Sequence, residues 1–246
     1  MGLIYGINPV REAIVAGKTI NKLYGSKGSK EIYEILKLAK TKGIVTVESD
    51  KIKLDRMITE NNEKLKNSQG IVASVTDYTY YDVEDILEYA NGLGEKPRVV
   101  ILDKIEDPHN LGAIIRSAEC MGIHGVIIQK RNACQVTDIV EKTAAGAVNY
   151  MRIVRVTNIS QTIEKLKKAG LWIYALDMEG ATDIYSTDLT GAIGIVVGNE
   201  GSGVSELVRK NSDGVIKIPM VGKTESLNAS VSAAITMYEI ARQNNK

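Results

Sequence analysis

From Arg98 onward the chain alternates short, continuous apolar runs with amphipathic stretches. The runs are "VVILD", "GVIIQ", "MRIVRV", "LWIYALD", "IGIVVG" and "GVIKIP". Apolar runs without polar alternation suit strands buried on both faces. Strands of that kind interleaved with helices call for an α/β fold with a mostly parallel sheet and helices on both faces. Between the runs, "NISQTIEKLKKAG" puts Ile163, Leu166 and Ala169 on one helical face. In such sheets ligands bind beyond the carboxyl ends of the strands. The segments that leave those ends are therefore where chemistry is to be sought.

Residues 1–76 read as a separate, small α/β domain. "NPVREAIVAG" is expected to be a helix with Asn8 as N-cap, Pro9 in its first turn and Gly17 past its end. "SKEIYEILKLAKTKG" carries a helical stripe of Ile32, Ile35, Leu36 and Ala39 and stops at Gly43. "INKLYGS", "IVTVES" and "GIVASV" read as strands and "DKIKLDRMIT" as a further helix. Residues 77–97, "DYTYYDVEDILEYANGLGEKP", are acidic and Tyr-rich and predict a connector with a short helix and a hinge. Residues 98–246 form the remainder. The net charge of +1 hides this division, since residues 1–76 hold 13 Lys and Arg against 8 Asp and Glu. On charge alone that excess is ordinary solvated surface. Two cysteines and two histidines leave no disulfide framework and no zinc spacing, so no metal is expected. The N-terminus lacks the basic region, apolar core and cleavage site of a signal peptide, and no run is long enough to span a membrane. A cytoplasmic protein is expected.

"DPHNLGAIIRSAEC" follows the first apolar run and opens a helix, with Asn110 or Asp107 as cap and Pro108 barring an earlier start. On a helical wheel Leu111, Ile114, Ile115, Ala118 and Met121 form the buried stripe. Arg116 falls opposite, flanked by Gly112 and Ala113, which predicts a notch through which a bulky substrate reaches a guanidinium. The plainer alternative is an exposed arginine on an amphipathic helix. Two further loops leave strands. "IGIVVGNEGSGVSE" has glycines in the spacing G-x-x-G-x-G, which is not the dinucleotide fingerprint. "KIPMVGKTESLNASVSAAI" contains Gly-Lys-Thr, but Lys217 stands where a P-loop needs glycine. Both loops are rich in backbone donors and small residues and suit a ligand such as an adenosine. The helix that follows has a small-residue face at Ala229, Ser230, Ala233 and Ala234, open to packing within the chain or across a dimer.

Taken together, "NLGAIIR", "VVGNEGSGVSE" and "IPMVGKTESLNASVSAAI" resemble, in order, the three motifs of the SpoU/TrmH family of RNA ribose 2′-O-methyltransferases, within the SPOUT superfamily. "IYGINPVREAI" and "SQGIVASV" resemble the family's N-terminal substrate-binding domain, which is similar to ribosomal protein L30e. The resemblance implies a SPOUT catalytic domain with a trefoil knot, a homodimer, and S-adenosylmethionine as methyl donor. It implies donor contacts at Gly198, Ile218 and Leu227, and also at Leu176, Met220, Ser226 and Asn228. Asn110, Arg116, Glu200, Ser226 and Asn228 match the family's polar active-site positions. The L30e-like domain is expected to bind RNA through Arg11, Lys18, Lys22 and Lys27. Enzymes acting on a guanosine ribose in 23S rRNA share this layout. The same chemistry on tRNA or another rRNA site, or a non-catalytic RNA-binding ribosome-assembly protein, are the alternatives; neither membrane nor DNA is expected as a partner. Two roles are open for Arg116. It can take the ribose proton beside the donor's sulfonium, or stay charged and hold the adjacent phosphate, since arginine is effectively always protonated.

Overall fold

The computed structural model describes residues 2–59, 67–75, 78–223 and 226–244. The chain forms two compact units, 1–79 and 80–246. No described helix is long and apolar enough to cross a membrane.

The first unit runs β1 (Gly2–Tyr5), α1 (Ile7–Val15), β2 (Ile20–Gly25), α2 (Lys30–Thr41), β3 (Thr46–Glu48), α3 (Lys51–Thr59) and β4 (Ile71–Val75). Its sheet has the order β1-β4-β2-β3, parallel only between β2 and β3. Val10, Ala13 and Ile14 of α1 and Ile32, Ile35 and Ala39 of α2 share a core with Leu23, Ile71 and Ala73 of the sheet. Leu54 and Ile58 of α3 pack with Val72, whose side chain points to the opposite face from those of Ile71 and Ala73. Asn8 is not the cap of α1. Gly6 takes that place at φ +91°, a conformation that favours glycine, and the Gln69 side chain accepts from Ile7 N at 3.0 Å.

The second unit contains α4 (Val83–Gly92), β5 (Arg98–Asp103), α5 (Pro108–Cys120), β6 (Gly125–Gln129), α6 (Asp138–Thr143), β7 (Arg152–Val156), α7 (Ile159–Lys168), β8 (Trp172–Leu176), β9 (Thr182–Asp183), β10 (Ile193–Gly198), α8 (Glu206–Asn211), β11 (Gly214–Lys217) and α9 (Ala229–Asn244). The seven strands pair in the order β7-β6-β5-β10-β8-β11-β9, every pair parallel. Val99, Ile101, Ile127 and Ile173 meet Ile86 of α4 and Ile159, Ile163 and Leu166 of α7 in one core. On β5 the alternate residues Val100 and Leu102 are equally buried, as strands covered on both faces must be. Helix α9 packs against β10 and α5.

The segment expected to be a connector is folded into this unit from Tyr80 onward. Asp82 opens α4 in a capping box with Asp85, and Val83, Ile86 and Ala90 turn inward. Ile86 is fully buried, a gain of roughly 1.5–3 kcal/mol. It fits because Gly125 has no side chain, and a Cβ there would lie 2.2 Å from Ile86 Cδ1. An acidic outer face gives the helix its connector-like composition, while its inner face belongs to the sheet.

Candidate active site

Strands β5 and β10 run side by side and end level, Asp103 opposite Gly198. The loops that leave them are tied together at once. Ser205 N donates to Asp103 Oδ2 at 2.8 Å, and Asn199 Nδ2 donates to Lys104 O at 3.1 Å. Within the glycine-rich loop Asn199 Oδ1 accepts from Gly201 N and Asn199 O accepts from Gly203 N. The turn folds back so tightly that a Cβ on Gly198 would lie 2.1 Å from the Gly203 carbonyl carbon. Only glycine fits there.

The fold-back presents Glu200 to two other segments. Asn110, in the first turn of α5, donates from Nδ2 to Glu200 Oε1 at 2.6 Å. Asn228 donates from Nδ2 to the same oxygen at 2.6 Å and to Asn110 Oδ1 at 3.0 Å. Asn228 Oδ1 meanwhile accepts from Ser230 N at 2.9 Å and so caps α9. Asn110 is buried, and Asp107 is the residue that caps α5, accepting from His109 N at 2.9 Å. Two amides, one from the first turn of α5 and one from the segment before α9, thus share one oxygen of the Glu200 carboxylate. Short bonds to a charged acceptor are the stronger class of hydrogen bond and fix the carboxylate's direction.

A cavity of about 690 Å³ opens beside this network. Leu176, Gly198, Glu200, Ile218, Met220, Ser226 and Leu227 line it, so every sequence-predicted donor contact except Asn228 faces the space. Asn228 reaches it through Glu200. The volume lies within the roughly 300–1,000 Å³ of small-molecule sites. Its walls combine apolar side chains with the backbone of two loops, a donor set suited to an adenosine. The charged part of the wall was not legible in the motifs. Asp177 follows β8, and Arg209 of α8 approaches Asp177 Oδ2 at 3.9 Å and Glu179 Oε2 at 3.1 Å. Asp177 is only signalled by its place at the end of "LWIYALD". Asp103 and Asn199 were missed because they touch other loops.

Arg116 stands apart. It is exposed on α5, outside the cavity lining, with no hydrogen bond or ion pair among the described residues. Six positions beyond Asn110, it is about 9 Å along the axis and on a different face. The notch predicted beside it is filled. Gly112 is buried against α6, where a Cβ would lie 2.6 Å from Thr143 Cβ and 2.9 Å from Val140 O. The glycine serves close helix packing rather than substrate entry. Of the residues expected to bind RNA, Arg11 and Lys18 are exposed, Lys22 is half-buried, and Lys27 pairs with Glu48 at 3.2 Å.

The SpoU rRNA Methylase family profile matches residues 97–238, a span that holds the whole network and cavity. The chain belongs to the SpoU family. Residues 3–81 match the profile for RNA 2′-O ribose methyltransferase substrate binding. This SpoU chain is an RNA methyltransferase. It is 37% identical to YacO of Bacillus subtilis, assigned to the TrmH family of tRNA/rRNA methyltransferases, over 98% of this chain and 96% of that one. It is 41% identical to a Staphylococcus saprophyticus protein of the same assignment, over 99% and 96%. Among solved structures it is similar to the SpoU methyltransferase AviRb of Streptomyces viridochromogenes in complex with AdoMet. That match has a TM-score of 0.61 and 27% identity, over 98% of this chain and 89% of that one.

Proposed function

We propose that this SpoU chain transfers the methyl group of S-adenosylmethionine to a ribose 2′-hydroxyl of RNA, with a guanosine of 23S rRNA as the target. The observation that carries this reading is the Glu200 oxygen held by Asn110 and Asn228 at the mouth of the cavity. When bound, the donor supplies a methyl carbon on a sulfonium, which is a good leaving group. The difficulty lies with the ribose hydroxyl, a weak nucleophile that must be aligned and relieved of a proton. Backbone groups of Gly198, Ile218 and Leu227 would hold the donor, and Leu176 and Met220 would give it an apolar wall. Ser226, on the cavity wall, and Glu200 are suited to orient the ribose; among the described residues Glu200's second oxygen accepts no bond. Arg116 stays charged and holds the phosphate next to the target ribose.

Val231, Ile235 and Tyr238 form an exposed stripe on α9, which supports a homodimer. The trefoil knot implied by the resemblance belongs to the segment from β10 to α9. The L30e-like unit supplies RNA affinity through Arg11, Lys18, Lys22 and Lys27, and the protein works in the cytoplasm. The TrmH-family relatives are named for tRNA and rRNA alike, which keeps tRNA as the second reading for the substrate. Mapping ribose methylation across rRNA and tRNA in a strain deleted for this gene separates the two. Loss of one 2′-O-methylguanosine from 23S rRNA is the expected result; an unchanged map of both RNAs refutes the proposal.

A further inference from the structure

The wall of the cavity is chemically uneven. Around Leu176, Ile218 and Leu227 it offers apolar side chains and backbone groups. The Glu200 network stands at its mouth. A third part is charged: Arg209 of α8 and the two carboxylates that follow β8, Asp177 and Glu179, line the same space. Among the described wall residues this is the one place where a cation stands against carboxylates, since the other cation, Lys104, makes no ion pair.

The backbone holds Asp177 firmly and leaves half of its carboxylate free. Asp177 N donates to Ile216 O at 3.0 Å, and Asp177 O accepts from Gly180 N at 3.1 Å. A Cβ on Gly180 would lie 2.5 Å from the Ile216 carbonyl carbon, so the turn after β8 is pressed against β11. Within that turn Asp177 Oδ1 accepts from Glu179 N at 3.0 Å, while no hydrogen bond among the described residues reaches Oδ2. The side chain is only 17% exposed, and a charged oxygen so far withdrawn from water gains from a partner. Oδ2 lies 3.6 Å from where a Cβ on Gly203 would be, so it faces the glycine-rich turn that also carries Glu200. Arg209 stays 3.9 Å from it, beyond hydrogen-bond reach. The guanidinium bonds instead to Glu179 at 3.1 Å, a carboxylate that is 80% exposed. Exposed pairs contribute little, and one such bond leaves the guanidinium fork able to take a second carboxylate.

We infer that this corner holds the amino-acid end of the methyl donor, Arg209 taking its α-carboxylate and Asp177 Oδ2 its α-ammonium. The inference rests on the reading of the cavity as the S-adenosylmethionine site. The donor has three chemically distinct parts, and the wall has three to match. The nucleoside suits the apolar and backbone part, the sulfonium methyl belongs beside Glu200, and the zwitterion suits the opposite charges of Asp177 and Arg209. The turn 199–203 borders both charged regions, Glu200 lying within it and Asp177 against Gly203, so one molecule can span them. Backbone contacts to an adenosine cannot tell one adenosine derivative from another. The charged corner can: it welcomes an amino acid and sets Asp177, Glu179 and Glu206 against the phosphates of an adenine nucleotide.

Calorimetric titration with S-adenosylmethionine, its decarboxylated form and 5′-methylthioadenosine tests each contact. The second ligand lacks the carboxylate, and the third lacks the whole amino acid. Wild type should bind the decarboxylated form about 10–100-fold more weakly than S-adenosylmethionine, as the loss of a charged hydrogen-bonded pair implies. Arg209→Gln should lose the same factor for S-adenosylmethionine and bind the decarboxylated form as wild type does. Arg209→Lys, which keeps the charge without the fork, should fall between. Asp177→Asn retains the oxygen that accepts from Glu179 N. It should weaken both amino-containing ligands by a similar factor and leave 5′-methylthioadenosine unchanged. Equal affinity of wild type for S-adenosylmethionine and its decarboxylated form overturns the inference without any variant. So does an Arg209→Gln protein that binds S-adenosylmethionine as wild type does, or that loses all three ligands equally. An Asp177→Asn protein that loses 5′-methylthioadenosine as well assigns Asp177 to the donor's ribose and overturns its part. Each of these results leaves the donor site standing. Wild-type protein that binds neither S-adenosylmethionine nor S-adenosylhomocysteine defeats the reading of the cavity, and this inference with it.

Discussion

Asn228 Nδ2 lies 2.6 Å from Glu200 Oε1 while the other end of the same side chain caps α9. One amide therefore orients the site carboxylate and starts the helix that packs on β10 and α5. Asn228→Ala removes both. The loss of the cap should cost about 0.5–2 kcal/mol, read as a shift in the denaturant midpoint. Methyl transfer should fall well beyond what that stability loss explains. Asn228→Asp keeps the capping oxygen and sets a second negative charge against Glu200. Its transfer rate should fall as well, and a fully active Asn228→Asp would show that the amide hydrogens do not matter.

Gly198 should tolerate no substitution. A Cβ there meets backbone, the Gly203 carbonyl carbon at 2.1 Å, and backbone cannot swing aside as a side chain can. Gly198→Ala is expected to open the loop and abolish donor binding. Calorimetric titration with S-adenosylmethionine measures it. Wild-type affinity in this variant would mean that the fold-back does not shape the site.

His124 should make stability fall in mild acid. The ring is 3% exposed; Nδ1 accepts from Arg98 N at 2.9 Å and Nε2 faces Glu95 Oε2 at 3.2 Å. Burial, and then the Arg98 guanidinium, hold its pKa below the ordinary 6.5, against the opposing pull of Glu95. The native state thus keeps the ring neutral where the unfolded chain takes up a proton. Stability rises with pH wherever the unfolded state binds more protons. The contribution is therefore whole above pH 6.5 and is lost as pH falls from 6.5 toward the depressed native value. Urea midpoints between pH 5 and 7.5 should drop toward acid in wild type (a window set by the ordinary histidine value of about 6.5). The drop should flatten in His124→Asn, and equal slopes in the two proteins would contradict it.

Arg116→Lys tests the phosphate role. Lysine keeps the charge and loses the planar, bidentate fork. Transfer should fall while donor affinity holds, because Arg116 lies outside the cavity lining. Full activity would remove the bidentate contact from the mechanism.

Arg11→Glu with Lys18→Glu reverses two exposed charges of the first unit. RNA affinity should weaken, with a shallower salt dependence, since fewer phosphates are neutralised. Donor affinity should not change. An unaltered filter-binding curve would place the RNA contact elsewhere.

Much of the architecture was legible beforehand. All six apolar runs after Arg98 became strands of the parallel sheet, and Leu111, Ile114, Ile115 and Ala118 are buried as the wheel requires, while Met121, the last of that stripe, lies past the end of α5 and is half-buried. These are consequences of local periodicity, which reports which side of each element leaves water. Strand β9 escaped notice because two residues carry no period. The capping of α1 by Gly6 was hidden because the partner of Ile7 N is Gln69, 62 residues away.

By itself the sequence determined where most strands and helices form, which of their faces are apolar, and which loops leave the strand ends. It also carried three ordered motifs, enough to resemble one enzyme family. Only the tertiary structure decided that Asn110 and Asn228, 118 residues apart, would meet on one oxygen of Glu200. Only it showed that Gly112 is a contact with α6 and that the acidic segment belongs to the sheet. Periodicity is set by each residue's immediate neighbours along the chain. Meetings between loops depend on strand order and on close backbone approach, which no local pattern encodes.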